Sequence, residues 1–460
     1  MFIGRTSELK EIKDGLKTNR FESFLIYGRR RVGKTELITE SIKNEKRFIV
    51  SYECIKGSLA INLNLFTEKI RNIFNEPYVN FSNFIELFDY LFSKSLKTDM
   101  ILLIDEFSFL LDEDFSIESN LAVIIDKYKN KTNLKLFISG SYVTLMQKMV
   151  EYQSHSYGRY THIMLIRPFD YYDSSLFYQE YSNEEKVMMY AVFGGVPFFN
   201  SLIDINKSAL ENIFDLVIKR DSILEHEINE MILVETNKIA NMNSLISLIA
   251  RGVNKYKDIE NNLSAMGISK PDYLFKKLIE MNIIKKTFPI NDEKNKKKIT
   301  YVFNDNLLNF YYKYIFFSPY QEFRNNPVFF YDNFVKADFE SSYLPKIFEN
   351  ISSEYLFRMN INYKIKPIIL KIGKYFYDDA KNKVNREFDV VTLDENGYIS
   401  YECKYTNLKI NLDVIKEEEK QIKDLEISFY KLGFISKNGF ESNIDKEKYK
   451  LITLDEIYSL

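Results

Sequence analysis

The chain has 460 residues, 45% of them apolar, and a formal charge of −2. At roughly 100–200 residues per domain this length suggests two to four domains, and the near-neutral balance excludes a global basic field pulling the whole molecule to nucleic acid. Two cysteines far apart and three histidines without zinc spacing argue against a disulfide framework or a zinc site.

The N-terminal Met1-Phe2-Ile3-Gly4-Arg5 has no long apolar core behind it and does not read as a signal peptide. No run reaches about 18 consecutive apolar residues, so no membrane span is expected and the expected location is cytoplasmic. From Phe21 to about Phe169, short apolar runs alternate with helical patterns: Phe24–Tyr27, Arg47–Cys54, Met100–Ile104, Leu134–Ser139 and His162–Ile166. This alternation predicts parallel strands in an α/β sheet.

Between the first run and a helical pattern lies Gly28-Arg29-Arg30-Arg31-Val32-Gly33-Lys34-Thr35, with Glu36 following. It fits G-x-x-x-x-G-K-[ST] in the strand–loop–helix context the motif requires. The glycines let backbone N–H groups turn inward around phosphate oxygens, and the helix N-terminus adds positive potential. Lys34 is expected to reach the β/γ-phosphates of ATP, and the Thr35 hydroxyl to ligate Mg²⁺. The run Ile101–Ile104 ends in Asp105 and Glu106. Asp105 is the expected holder of Mg²⁺ through its water shell, and Glu106 the group that polarises the attacking water. After the fourth run, Ser139-Gly140-Ser141 lies where α/β sheets bind ligands, so Ser139 or Ser141 is a candidate contact for the γ-phosphate.

From about Tyr171 to Asn304 the pattern is mostly helical. Lys255–Leu263 predicts a short helix, and Ser269 with Asp272 a capping box for the next. An apolar strand at Ile283–Ile284, a basic turn over Asn291–Lys298 and a strand at Ile299–Phe303 follow; helix, helix, hairpin is the order of a winged helix. Lys276 and Lys277 on the second helix, with Lys294, Lys296, Lys297 and Lys298 in the turn, form a small basic feature suited to DNA phosphates. Residues from about Asn309 to Glu340 read as an irregular aromatic connector.

From Tyr343 the chain becomes α/β again. A helix is expected over Leu344–Met359, with strands at Lys371–Tyr377, Glu387–Leu393, Ile399–Lys404, Lys431–Ile435 and Tyr449–Thr453. Asp389 begins one strand of a hairpin; Glu402 and Lys404, two apart, share a face of the other. Two carboxylates and an ammonium on one surface suit metal-dependent phosphodiester hydrolysis. Asp389 and Glu402 would bind Mg²⁺ or Mn²⁺, Lys404 would orient the attacking water, and Glu349 would complete the metal shell.

Phe2-Ile3-Gly4-Arg5 with Glu8-Leu9, the phosphate loop, Leu103–Glu106, Ser139–Ser141, Tyr157-Gly158-Arg159 and Phe193-Gly194-Gly195-Val196-Pro197 together resemble the archaeal-type ATPases, AAA+-related P-loop proteins of the STAND group. The resemblance spans the whole chain. It implies a winged helix and a C-terminal α/β domain similar to PD-(D/E)xK (restriction-endonuclease-like) nucleases. It further implies that Arg159 approaches the γ-phosphate and that Pro197 lies against the nucleotide from a helical lid. The expected parts are a P-loop ATPase core over 1–170, lid and winged helix over 171–308, the connector over 309–342 and the nuclease-like domain over 343–460. The expected activity is a nucleotide-driven switch coupled to DNA binding or cleavage. Two alternatives stay open: a scaffold switch whose accessory domains bind protein and cleave nothing, and a nucleotide-binding protein with negligible hydrolysis.

Overall fold

The computed structural model describes residues 2–235, 239–295, 298–379, 384–424 and 427–459. They fall into two compact units, Met1–Pro168 and Phe169–Leu460. In the first unit β1 (Glu22–Tyr27), β2 (Phe48–Glu53), β3 (Met100–Asp105), β4 (Lys135–Gly140) and β5 (His162–Leu165) form one parallel sheet, ordered β2-β3-β4-β1-β5. The five apolar runs are these strands, within about two residues at each end.

Because side chains alternate across a strand, each of the central strands β1, β3 and β4 feeds two cores. Leu25, Leu102 and Leu136 pack with the helices Leu59–Phe74, Phe84–Lys94 and Ser116–Tyr128. Phe24, Ile101 and Phe137 pack with the helices Thr6–Leu16 and Lys34–Ile42. β1, β3 and β4 are buried along their whole length, as expected for a sheet covered on both faces. All five strands run the same way, so the loops after β1, β3 and β4 open on one edge.

The second unit begins with short helices, including Asn183–Phe193 and Pro197–Ser201. The Gly194-Gly195 turn between them has a steric cause. A Cβ on Gly195 would lie 1.8 Å from the Phe169 carbonyl oxygen, and Phe169 N–H donates to the Gly195 carbonyl at 2.7 Å. Helices Tyr256–Ala265 and Asp272–Glu280 precede an antiparallel hairpin, β6 (Ile284–Thr287) and β7 (Thr300–Phe303). Ser269 does not cap the second helix, which starts after Pro271 without a side-chain cap. Lys270 takes a left-handed φ of 55°, and the chain turns there before the proline, whose fixed φ suits a helix start. Asp272 instead accepts the Tyr256 hydroxyl at 2.9 Å. Lys296 and Lys297 lie outside the described residues.

The expected irregular connector is largely helical: Asn306–Tyr314 and Pro327–Phe334 are regular, capped by Asp305 and Asn326. Leu307, Leu308, Phe310, Tyr311, Tyr312 and Tyr314 are all buried. The half-buried Asn306, Asn309 and Lys313 share the opposite face of that helix, whereas Pro327–Phe334 buries only Phe330 and Tyr331.

The C-terminal sheet contains β8 (Lys371–Asp379), β9 (Val384–Asp394), β10 (Gly397–Lys404), β11 (Lys431–Ser436) and β12 (Lys450–Thr453), ordered β12-β11-β10-β9-β8. β8, β9 and β10 are antiparallel neighbours; β10, β11 and β12 are parallel. Helix Leu344–Ile361 buries Ile347, Phe348 and Ile351 in the same core as Val390, Ile399 and Tyr401, and helix Leu412–Asp424 connects β10 to β11. No described helix is long and apolar enough to cross a membrane.

Candidate functional site

The loop Gly28–Gly33 leaves the carboxyl end of β1 and enters helix Lys34–Ile42. Gly28 is obligatory, since a Cβ there would meet the Ile166 carbonyl oxygen at 2.2 Å. Gly33 takes φ 86° and Arg31 φ 71°, so the loop curls tightly before the helix. Val32 is fully buried beneath it, Arg29 is buried, and Arg30 and Glu36 are exposed. Lys34 is 5% exposed, and its ammonium donates to the carbonyls of Gly28 at 3.0 Å and Arg29 at 3.3 Å. Burial pushes its pKa down, against the pull of Glu106 and Asp105. This cation is curled into the loop, and an incoming anion would stabilise it.

Thr35 Oγ1 donates to Asp105 Oδ2 at 2.7 Å. Asp105 Oδ1 accepts the Glu106 N–H at 2.9 Å and the Ser139 hydroxyl. Ser139 is fully buried and therefore aims Asp105 rather than reaching outward as a phosphate contact. The neighbouring acid is held differently. Glu106 sits at φ 50°, and its Oε2 accepts the Ser141 hydroxyl at 2.6 Å and the Ser141 N–H at 3.0 Å. Two carboxylates adjacent in sequence are thus fixed by separate partners, Asp105 toward Thr35 and Glu106 toward Ser141.

Arg5 has a structural part that the sequence did not assign. It is 9% exposed, and its guanidinium donates to the Val32 carbonyl at 3.2 Å and to the Arg167 carbonyl. It clasps the phosphate loop to the segment after β5. Arg159 is not brought to this loop. Its guanidinium holds Asp126 at 2.6 and 2.9 Å, and its carbonyl accepts the Ser23 hydroxyl at 2.7 Å. Ser23 lies near the start of β1 and Gly28 follows its end, so Arg159 sits at the opposite edge of the sheet. The surface ion pair accounts for it. Pro197 opens helix Pro197–Ser201 in the second unit, where Asn200 donates to the Gly194 and Val196 carbonyls at 2.9 and 3.1 Å.

In the C-terminal sheet a cleft of about 300 Å³ is lined by Asp389, Glu402 and Lys404, as read from sequence, and by Glu387, Glu418 and Gln421. Glu402 pairs with Lys404 at 2.5 Å. Asp389 pairs instead with two lysines, Lys346 at 2.7 Å and Lys374 at 2.5 Å. Burial opposes its ionisation, but these two ammonium groups hold its pKa down to about 2. Glu349 pairs with the same Lys346 at 2.8 Å; burial and the nearby Asp389 push it up to about 7. Glu418, on helix Leu412–Asp424, is also pushed up to about 7, by burial and by Glu402. The expected metal set of Glu349, Asp389 and Glu402 is therefore not assembled as one shell. Among the described residues no three acidic, histidine or cysteine side chains are grouped to hold a metal, because lysines stand between the acids.

Residues 2–199 match the model of an ATPase domain found predominantly in Archaea. An uncharacterised protein of Methanocaldococcus jannaschii, MJECL04, is 30% identical over 415 residues, covering 89% of this chain and 88% of its own. The chain belongs to this archaeal ATPase family. In this family member, residues 311–422 also match a model of archaeal and bacterial proteins of unknown function, which spans helix Leu344–Ile361 and the hairpin of Asp389 and Glu402. Among solved structures, the Walker-type ATPase PABY2304 of Pyrococcus abyssi is similar at 19% identity and a TM-score of 0.46, covering 68% of this chain and 96% of that one. The ORC2 protein of Aeropyrum pernix, in ADPNP–ADP complexes, is similar at 13% identity and a TM-score of 0.43, covering 73% and 95%.

Proposed function

We propose that this archaeal ATPase hydrolyses ATP with Mg²⁺ and uses the nucleotide cycle to switch its second unit, with DNA binding or cleavage as the output. The observation that carries the reading is the Thr35–Asp105 contact of 2.7 Å, beside the loop that Lys34 fills. A hydroxyl and a carboxylate at the mouth of an amide-lined loop form an oxygen donor set that suits Mg²⁺. Bound there, Mg²⁺ would neutralise charge on the phosphate oxygens. Lys34 would exchange its two carbonyl partners for β/γ-phosphate oxygens. Glu106, steadied by Ser141, would accept the proton of the attacking water.

The finer assignment of the second unit rests on order. Helix, helix and hairpin support a winged helix over residues 256–303. Three antiparallel and two further parallel strands, with Asp389, Glu402 and Lys404 on one cleft, support a nuclease-like domain. A second reading, a platform that binds without cleaving, is favoured by Lys346 between Glu349 and Asp389.

Mg²⁺-dependent ATP turnover tests the main reading. Lys34→Ala and Glu106→Gln should each abolish it; unchanged turnover in both would remove the site from this loop. DNA cleavage with Mg²⁺ or Mn²⁺, with and without ATP, separates the two outputs: loss in both Asp389→Ala and Lys404→Ala would mark a nuclease, and no cleavage of single- or double-stranded DNA a platform.

A further inference from the structure

We propose that the Lys346 ammonium is the resident cation of the C-terminal cleft and keeps Glu349 and Asp389 closed to a divalent metal. The inference rests on reading this cleft as nuclease-like. Lys346 and Glu349 stand three apart on helix Leu344–Ile361, so both project from one face. The helix packs on the sheet through Ile347, Phe348 and Ile351, which brings that face against β9. The ammonium then meets one oxygen from each acid, Glu349 Oε2 at 2.8 Å and Asp389 Oδ1 at 2.7 Å. A primary ammonium has three donors and no acceptor, so it can bridge two carboxylates from different elements.

Lys374 on β8 adds a second ammonium to Asp389 and also holds Glu387 at 2.5 Å. Glu402 is engaged by Lys404. The negative charge of Asp389 and Glu349 is thus matched inside the protein. A hard divalent ion needs several anionic or carbonyl oxygens converging on one point, and here an ion drawn to both acids would meet the Lys346 charge already lodged between them, with Lys374 on the same Asp389 oxygen. The Lys346 side chain is half exposed, so it can be removed without opening a hole in the core.

The test is Mn²⁺ binding to the full chain without nucleotide, read from the spin-resonance signal of free Mn²⁺. Four proteins are compared: the parent, Asp389→Asn, Lys346→Met and the Lys346→Met/Asp389→Asn pair. The parent and Asp389→Asn should hold equal amounts of ion, Lys346→Met should hold an additional one, and the pair should lose it. An ion in the parent that Asp389→Asn alone removes would overturn the proposal, as would a folded Lys346→Met protein that gains none. Lys346→Gln carries the same comparison if the methionine variant melts early. Failure of the nuclease-like reading looks different: Lys346→Met would gain its ion and still cleave no DNA.

Discussion

Thr35 and Asp105, seventy positions apart in sequence, meet through a 2.7 Å hydrogen bond, and Ser139 fixes the other oxygen of the same carboxylate. Outer-sphere partners that orient a ligand typically set metal affinity by about 10–100-fold. Ser139→Ala should therefore raise the Mg²⁺ concentration needed for half-maximal ATP turnover by roughly that factor, with maximal turnover nearly kept. A Mg²⁺ titration of turnover checks it; an unchanged midpoint would remove Ser139 from the metal's support.

Glu106→Gln separates chemistry from binding. The glutamine keeps an oxygen for Ser141 but cannot take a proton, so turnover should fall by about 10²–10⁴-fold. Nucleotide affinity, measured by calorimetry, should hold because Lys34 and the loop amides are untouched. Equal losses in both would assign Glu106 to binding.

Arg5→Ala should lower the melting temperature and weaken nucleotide binding together. The substitution strips two buried carbonyls of a charged donor, each such bond being worth ~1.5–3 kcal/mol. Arg5→Lys should restore only part, since Nη2 makes both carbonyl bonds while Nη1 holds Glu8, and a single ammonium replaces these two nitrogens. Recovery to parental stability in the lysine variant would show that charge alone is what the site needs.

Gly28→Ala should be among the most damaging small substitutions. Its methyl would stand 2.2 Å from the Ile166 carbonyl oxygen, which is backbone and cannot rotate away. Overpacking of this kind costs about 1–3 kcal/mol or more. Denaturant unfolding of the variant reads the loss directly, and parental stability would mean that the loop can move away from β5.

Glu354 gives a pH signature. It accepts the Tyr171 N–H and the Tyr190 hydroxyl at 3.0 Å, yet burial and the nearby Asp170 push its pKa from 4.5 up to about 7, against the pull of these bonds and of Lys285. An acid whose pKa is higher folded than unfolded binds more protons in the native state between those values. Its contribution to stability is therefore full below about pH 4.5 and falls as pH rises toward 7. The loss amounts to roughly 3 kcal/mol at most. Glu354→Gln should flatten that part of the stability–pH curve; an unaltered curve would assign the slope to Glu349 and Glu418, which shift the same way.

What was legible in the sequence follows the range of the interactions involved. The ten strand candidates at the two ends of the chain follow from apolar runs, a local property, and the phosphate loop from a contiguous motif. Asp105 and Glu106 were legible because a strand's end is itself a local feature. Arg5, Lys346 and Glu418 were not assigned, because beside the local Arg5–Glu8 and Lys346–Glu349 pairs their deciding contacts lie 27 and 162 positions away for Arg5, 43 for Lys346–Asp389 and 16 for Glu418–Glu402. No local pattern marks such a pairing. Arg159, whose role came from resemblance alone, holds Asp126, 33 positions away, a pairing that no local run marks either. The helices around Tyr311 and Phe330 were missed because exposed aromatics such as Phe329 interrupt the polar face of the second, and Phe and Tyr are weak helix formers.

The left-handed backbone at Glu106 has an evolutionary consequence. A side chain at φ 50° is strained by about 1 kcal/mol or more, and only glycine sits there freely. A single base change converts a glutamate codon to a glycine codon. It would relax the backbone and, on the role proposed for Glu106, remove the proton acceptor in the same step while leaving the phosphate loop intact. Backbone stability alone would thus favour glycine at position 106, and the glutamate stands there against that preference.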